Sequence, residues 1–121
     1  MRTGDRVYVS KKYGNSDKHE GMIHYVEMAP MNRGIPRGDQ TEHIYVKFNN
    51  PDIYRRWLRR GSPIMVNSEK HVILEVNDYN DSFVIAKEDG PHNMINPIKQ
   101  NIKPSSIDSM LIWRAGYILE N

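Results

Sequence analysis

The chain has 121 residues, with 17 Lys and Arg against 15 Asp and Glu, and no cysteine. The length predicts one domain, and the missing cysteine excludes disulfides, thiol catalysis and cysteine-ligated metals, which fits a reducing cytoplasm. No apolar run approaches the roughly 20 residues of a membrane helix, and Met1–Asp5 offers no signal-peptide stretch. A soluble cytoplasmic protein, complete in itself, is therefore expected.

Charge is unevenly placed. Residues 1–60 carry twelve Lys and Arg against seven Asp and Glu, and residues 61–121 carry five against eight. A basic half suggests a surface that faces a polyanion. Attraction between the halves, within one fold or between two copies in a homodimer, is the other reading of the same asymmetry.

Val7 and Val9 alternate with polar neighbours and predict a half-buried strand over 5–10. Gly14-Asn15-Ser16-Asp17 is a turn signal in the polar stretch that follows. A second strand is expected over 21–28, where Gly21 permits a bulge or a sharp bend because a side chain there would crowd a coiled sheet. Pro30, Gly34, Pro36 and Gly38 make 29–42 a long loop, of the size at which loops are usually functional. Ile44, Val46 and Phe48 form one face of a third strand, with Tyr45 and Lys47 on the other.

Asn50-Pro51-Asp52 is a helix start: Asn50 caps, Pro51 suits the first helical position and Asp52 faces the positive helix end. The spacing predicts a helix over 51–60, stopped by Gly61. Residues 64–66 read as a short strand. Val72, Leu74 and Val76, a turn at 78–81 and Phe83–Ala86 read as a β-hairpin. Residues 88–97 form a second loop, and Ile98 and Ile102 flank a weak strand before Pro104. Ser105–Asp108 starts a short helix carrying Ile107, Met110 and Leu111, and 111–119 reads equally as a closing strand or as the end of that helix.

The run Gly4-Asp5, Val7, Val9, Lys18, Gly21, Ile23, Val26, Val46 and Asn49 resembles the SH3-like small barrels, and within them the KOW-type modules of ribosomal proteins and transcription elongation factors. The likeness spans residues 4–49, and the 29–42 connection is longer than the family's. It implies an SH3-like barrel, and with the elements read above the expectation is a mainly β fold (all-β to α+β) with a barrel core over 4–87, a short helix near 51–60 and a C-terminal extension over 88–121. It also implies binding of nucleic acid or protein.

The sharpest chemical feature is Tyr54-Arg55-Arg56-Trp57-Leu58-Arg59-Arg60. At helical spacing Ile53 with Trp57, and Tyr54 with Leu58, make one apolar face, leaving Arg55, Arg56 and Arg59 opposite it. Guanidinium forks match phosphate oxygens, so this face predicts contact with a nucleic-acid backbone, while Trp57 is expected to plug a barrel end. Arg33 and Arg37 in the long loop, and Lys11, Lys12, Lys18 and Lys47, extend the basic set. Tyr8, Tyr25 and Tyr45 share an outer sheet face, either stacking on bases or packing there.

His19, His24, His43, His71 and His92 show no metal-ligand spacing. Asn77–Asp81 lacks the glycine of a calcium loop and reads as a hairpin turn. No phosphate-binding loop or nucleophile motif is present, so neither an enzyme nor a cofactor is expected. The expectation is a non-enzymatic nucleic-acid-binding barrel. The alternative is a protein-interaction module, such as a small phage-type inhibitor bound to an acidic surface of a host protein.

Overall fold

The computed structural model describes residues 1–14, 17–30, 40–88 and 98–121. They form one antiparallel nine-stranded sheet and a single short helix, a mainly β fold. The elements are β1 (Arg6–Lys11), β2 (His19–Pro30), β3 (Gln40–Phe48), α1 (Asp52–Trp57), β4 (Pro63–Val66), β5 (Glu69–Asn77), β6 (Ser82–Lys87), β7 (Gln100–Ile102), β8 (Ser109–Ile112) and β9 (Tyr117–Glu120). A 3-10 turn, Pro104–Ser106, precedes β8. The sheet order is β7-β6-β5-β4-β8-β3-β2-β1-β9.

Alternation sorts the side chains as the valine and isoleucine spacing predicts. Val7, Val9, Ile23, Ile44, Val46, Phe48, Ile64, Ile73 and Ile85 fill one buried cluster on one face. A flat sheet of nine strands would be ~40 Å wide at the usual strand spacing, far more than one six-residue helix covers. The sheet therefore curls around its own apolar face. Helix α1 meets elements from distant parts of the strand order: Trp57 packs on Tyr117 of β9, and Arg55 pairs with Asp81 between β5 and β6.

Gly21 is required by close approach. A Cβ there would stand 2.6 Å from Val46 Cγ1 and 2.7 Å from the Lys47 carbonyl oxygen. The bulge in this ladder falls three residues later, where the register shifts between Ile23 and Tyr25 and leaves His24 as the extra residue. The turn between β4 and β5 is Asn67-Ser68, both at positive φ, as a tight two-residue hairpin demands. Asp108 holds it, its Oδ2 accepting from the Ser68 N–H at 3.1 Å.

Three expectations are corrected or sharpened. First, 105–111 is not a helix. After the 3-10 turn the chain extends as β8, with Met110 in the main core and Leu111 in a second cluster on the opposite face. A strand buried on both faces has no polar alternation, so its sequence looks like a buried helix. Second, the C-terminal extension expected over 88–121 supplies strands of the sheet itself. β8 sits inside the sheet between β3 and β4, and β9 pairs with β1. Third, the helix ends at Trp57, not at residue 60. Leu58 is extended (φ −76°, ψ 138°) and fully buried, so core burial overrides helix continuation. Gly61, at φ +91°, serves the following turn, its N–H donating to the Ile73 carbonyl at 2.8 Å. The N-cap is Pro51 and not Asn50, whose Oδ1 accepts from the Asp52 N–H at 3.0 Å just ahead of the helix.

No helix among the described residues is long and apolar enough to cross a membrane.

Candidate functional site

Trp57 is the hub of one end of the molecule. Its ring meets Phe48 at 5.4 Å, His19 at 5.2 Å and Tyr117 at 5.1 Å between centroids, and Lys11 Nζ stands 6.0 Å from its centroid. Four elements contribute: β3, β2, β9 and β1. Register explains the meeting, since Lys11 lies directly opposite Tyr117 across the β1–β9 ladder and His19 is opposite Val9 across β1–β2. At 7 % exposure Trp57 is part of the main buried cluster.

Its surroundings are basic. The Lys12 N–H donates to the Gly116 carbonyl at 2.9 Å, tying Lys12 to the turn that carries Arg114. The Arg59 backbone N–H donates to Ser62 Oγ at 3.0 Å, and its Nη1 donates to the Leu58 carbonyl at 2.9 Å. Burial pushes the Tyr117 hydroxyl above its ordinary pKa, and the Arg59 charge opposes that rise. Lys11 and His19 thus meet the Trp57 ring through their side chains, Arg59 follows Trp57 by two residues, and the Lys12 backbone is bonded to the turn that holds Arg114. Lys12, Arg59 and Arg114 form no ion pair among the described residues.

The expected arginine face of the helix is divided. Arg55 turns away to Asp81 Oδ1 at 2.8 Å and lies 3.8 Å from Asp52 Oδ1. Arg56 is exposed beside it, in a shallow hollow also lined by Asp52 and Asp78. Arg59 and Arg60 lie beyond the helix, and Arg60 is exposed at the turn into β4. The arginines therefore do not present one face, because the chain leaves its helical path at Leu58. Lys18 is paired with Glu120 at 2.8 Å, and Lys47 is exposed on the outer face of β3 opposite Met22. Arg33 and Arg37 lie outside the described residues.

Tyr45 is the clearest correction. It does lie on the outer face with Tyr8 and Tyr25, but it is only 2 % exposed and cannot stack on a base. It packs with Met65, Leu111 and Tyr25, the two tyrosine rings meeting at 5.7 Å. Burial first, then the carboxylates of Glu27 and Glu88, push its hydroxyl far above the usual tyrosine range. Glu27 also accepts from Lys70 and stands 3.6 Å from His43 Nδ1, which closes this second cluster over. Tyr8 lies apart, opposite Glu20.

The histidines are used singly. His19 packs on Trp57, His24 Nδ1 is 2.8 Å from Ser109 Oγ, His43 contacts Glu27 and Trp113, and His71 Nδ1 is 2.9 Å from the Glu69 carbonyl. No group of three or more His, Cys, Asp or Glu among the described residues is placed to hold a metal ion. His92 lies outside those residues.

Sequence reasoning missed Arg114 and Tyr117 and considered His19 only as a ligand. No local signal marks them, since their role follows from β9 pairing with β1. Comparison of the chain with protein-family models, with curated proteins and with solved structures found no match.

Proposed function

We propose that this chain is a nucleic-acid-binding module that engages the phosphate backbone with the basic end around Trp57. The carrying observation is that Lys11 stands at the Trp57 ring, which packs on Tyr117, while the Lys12 backbone is bonded to the turn that holds Arg114 and Arg59 follows Trp57 by two residues. The aromatic centre joins β1, β2, β3 and β9 at this end, and Lys11 lies against it. A site of this kind reads charge and spacing along a backbone, not base identity. The likeness of residues 4–49 to KOW-type modules points the same way, and this end carries no group that calls for chemistry.

The test is a binding titration with single- and double-stranded DNA and RNA at about 50 and 200 mM salt. Affinity should fall steeply with salt, and Lys12→Glu or Arg59→Glu should weaken binding to every sequence alike. Absence of binding to all four at the lower salt overturns the reading and turns the search to an acidic protein surface.

A further inference from the structure

The two ends of the sheet are built differently. β7 is Gln100-Asn101-Ile102, flanked by Lys99 and Lys103 and followed by Pro104. Short polar strands with lysine and proline at their margins are the usual protection of an edge. β9 is Tyr117-Ile118-Leu119-Glu120, apolar at three of four positions, without a lysine, a proline or a bulge.

Among the described residues β9 is paired on one side only, to β1. In an antiparallel ladder, alternate residues aim their backbone groups at the partner strand. The Gly116 carbonyl accepts from the Lys12 N–H, so Gly116, Ile118 and Glu120 face β1, and Tyr117 and Leu119 face outward. The Tyr117 N–H is taken by the Trp113 carbonyl at 2.9 Å. The Tyr117 carbonyl and both Leu119 backbone groups are left aimed at an open edge.

Side chains on both faces of that edge are apolar. Tyr117 and Leu119 are only partly covered against the main core. On the outer face, Ile118, Tyr8 and Met22 are 42, 36 and 43 % exposed. They lie on three adjacent strands in diagonal register, because Ile118 is opposite Ser10 and Met22 is opposite Arg6, each two residues from Tyr8.

We propose that a second copy of this chain adds to β9 as an antiparallel strand, about a two-fold axis through Ile118. The two Leu119 N–H groups then donate to the Tyr117 carbonyls across the axis. Ile118 meets Ile118, and the exposed row becomes continuous from Met22 of one copy to Met22 of the other. Charge selects the antiparallel second copy over an unrelated strand. The acid of β9, Glu120, sits at one end, and the bases Arg114 and Lys12 gather at the other. The two-fold register places Glu120 of each copy opposite Gly116 of the other, beside the turn that carries Arg114. The complementary contact is made twice.

The test is sedimentation velocity and light scattering on the whole chain across a concentration series. The wild type should be a dimer. Ile118→Lys, on an exposed outer position, should keep the fold by circular dichroism and raise the dimer dissociation constant about tenfold or more, by setting like charges opposite each other at the axis. Glu120→Arg should weaken the dimer, and adding Arg114→Glu should restore it, which loss of the Lys18–Glu120 pair within one copy would not allow. A wild type that stays monomeric up to about 1 mM overturns the proposal, and so does a dimer that neither variant affects.

Discussion

Arg55 Nη2 stands 2.8 Å from Asp81 Oδ1, joining the helix that follows β3 to the turn between β5 and β6. The pair links the basic N-terminal half of the chain to its acidic C-terminal half. Both side chains are about half exposed, so the pair is worth at most about 1 kcal/mol. Its importance is that it removes one cation from the set available to a ligand.

Arg55→Glu should therefore leave nucleic-acid affinity nearly unchanged, while Arg59→Glu and Lys12→Glu reduce it, all three proteins being folded. Each phosphate that a variant no longer neutralises should lower the slope of log affinity against log salt by about 0.7 to 0.9. Parallel salt titrations of the three variants measure this. A fall with Arg55→Glu equal to that with Arg59→Glu would return the site to the helix.

Gly21→Ala should be strongly destabilising. The added methyl would meet Val46 Cγ1 at 2.6 Å and the Lys47 carbonyl oxygen at 2.7 Å, and the second is backbone in a paired strand that cannot rotate away. Overpacking of this kind costs about 1–3 kcal/mol, to be read as a lowered urea midpoint at unchanged slope.

Tyr54→Phe isolates one hydrogen bond. The Phe48 N–H donates to Tyr54 Oη at 2.9 Å, inside the core. Removing the oxygen leaves that N–H without its acceptor, at a cost of about 1–3 kcal/mol in equilibrium unfolding.

The same residue sets an alkaline limit. Burial, opposed by the Phe48 hydrogen bond and reinforced by Asp108, pushes the Tyr54 hydroxyl up to about 12. The folded state keeps this proton where the unfolded chain has already lost it. The associated stability is complete below the unfolded value near 10 and is lost as pH rises towards 12. Tyr45, raised for the same first reason, adds in the same direction. Urea midpoints at pH 8 and at about pH 11 should show the fall, with a smaller fall in Tyr54→Phe.

Ser109→Ala tests the bulge. Ser109 is fully buried on β8, with its Oγ 2.8 Å from Nδ1 of His24, the extra residue of β2. Losing that partner should cost about 1 kcal/mol or somewhat more, because the imidazole nitrogen is left unpaired in a part-buried site. A midpoint equal to the wild type would show that water replaces the hydroxyl.

Much of this was legible along the chain. The alternations of Val7 with Val9 and of Ile44 with Val46 and Phe48 specify strands and the faces they bury. The turn at 78–81 and the Asn50–Asp52 hydrogen bond before the helix also follow from local residue chemistry, whereas the crowding at Gly21 comes from Val46 and Lys47 on β3. The candidate site was half legible. Lys11, Lys12 and Arg59 stood out as cations, and Trp57 as a plug, but Arg55 looked equivalent to Arg59 and Tyr45 looked available.

The tertiary structure decided the rest, for a physical reason. A period of two states which face a residue takes, not which strand lies beside it or what covers that face. The placement of β8 between β3 and β4, and of β9 against β1, depends on contacts between residues far apart in sequence. These placements bring Tyr117 to Trp57, cover Tyr45 with Leu111 and Met65, and turn Arg55 to Asp81. Local chemistry set the strands, their inward faces and the supply of charge. Long-range pairing decided which charges remain exposed and which edge remains open.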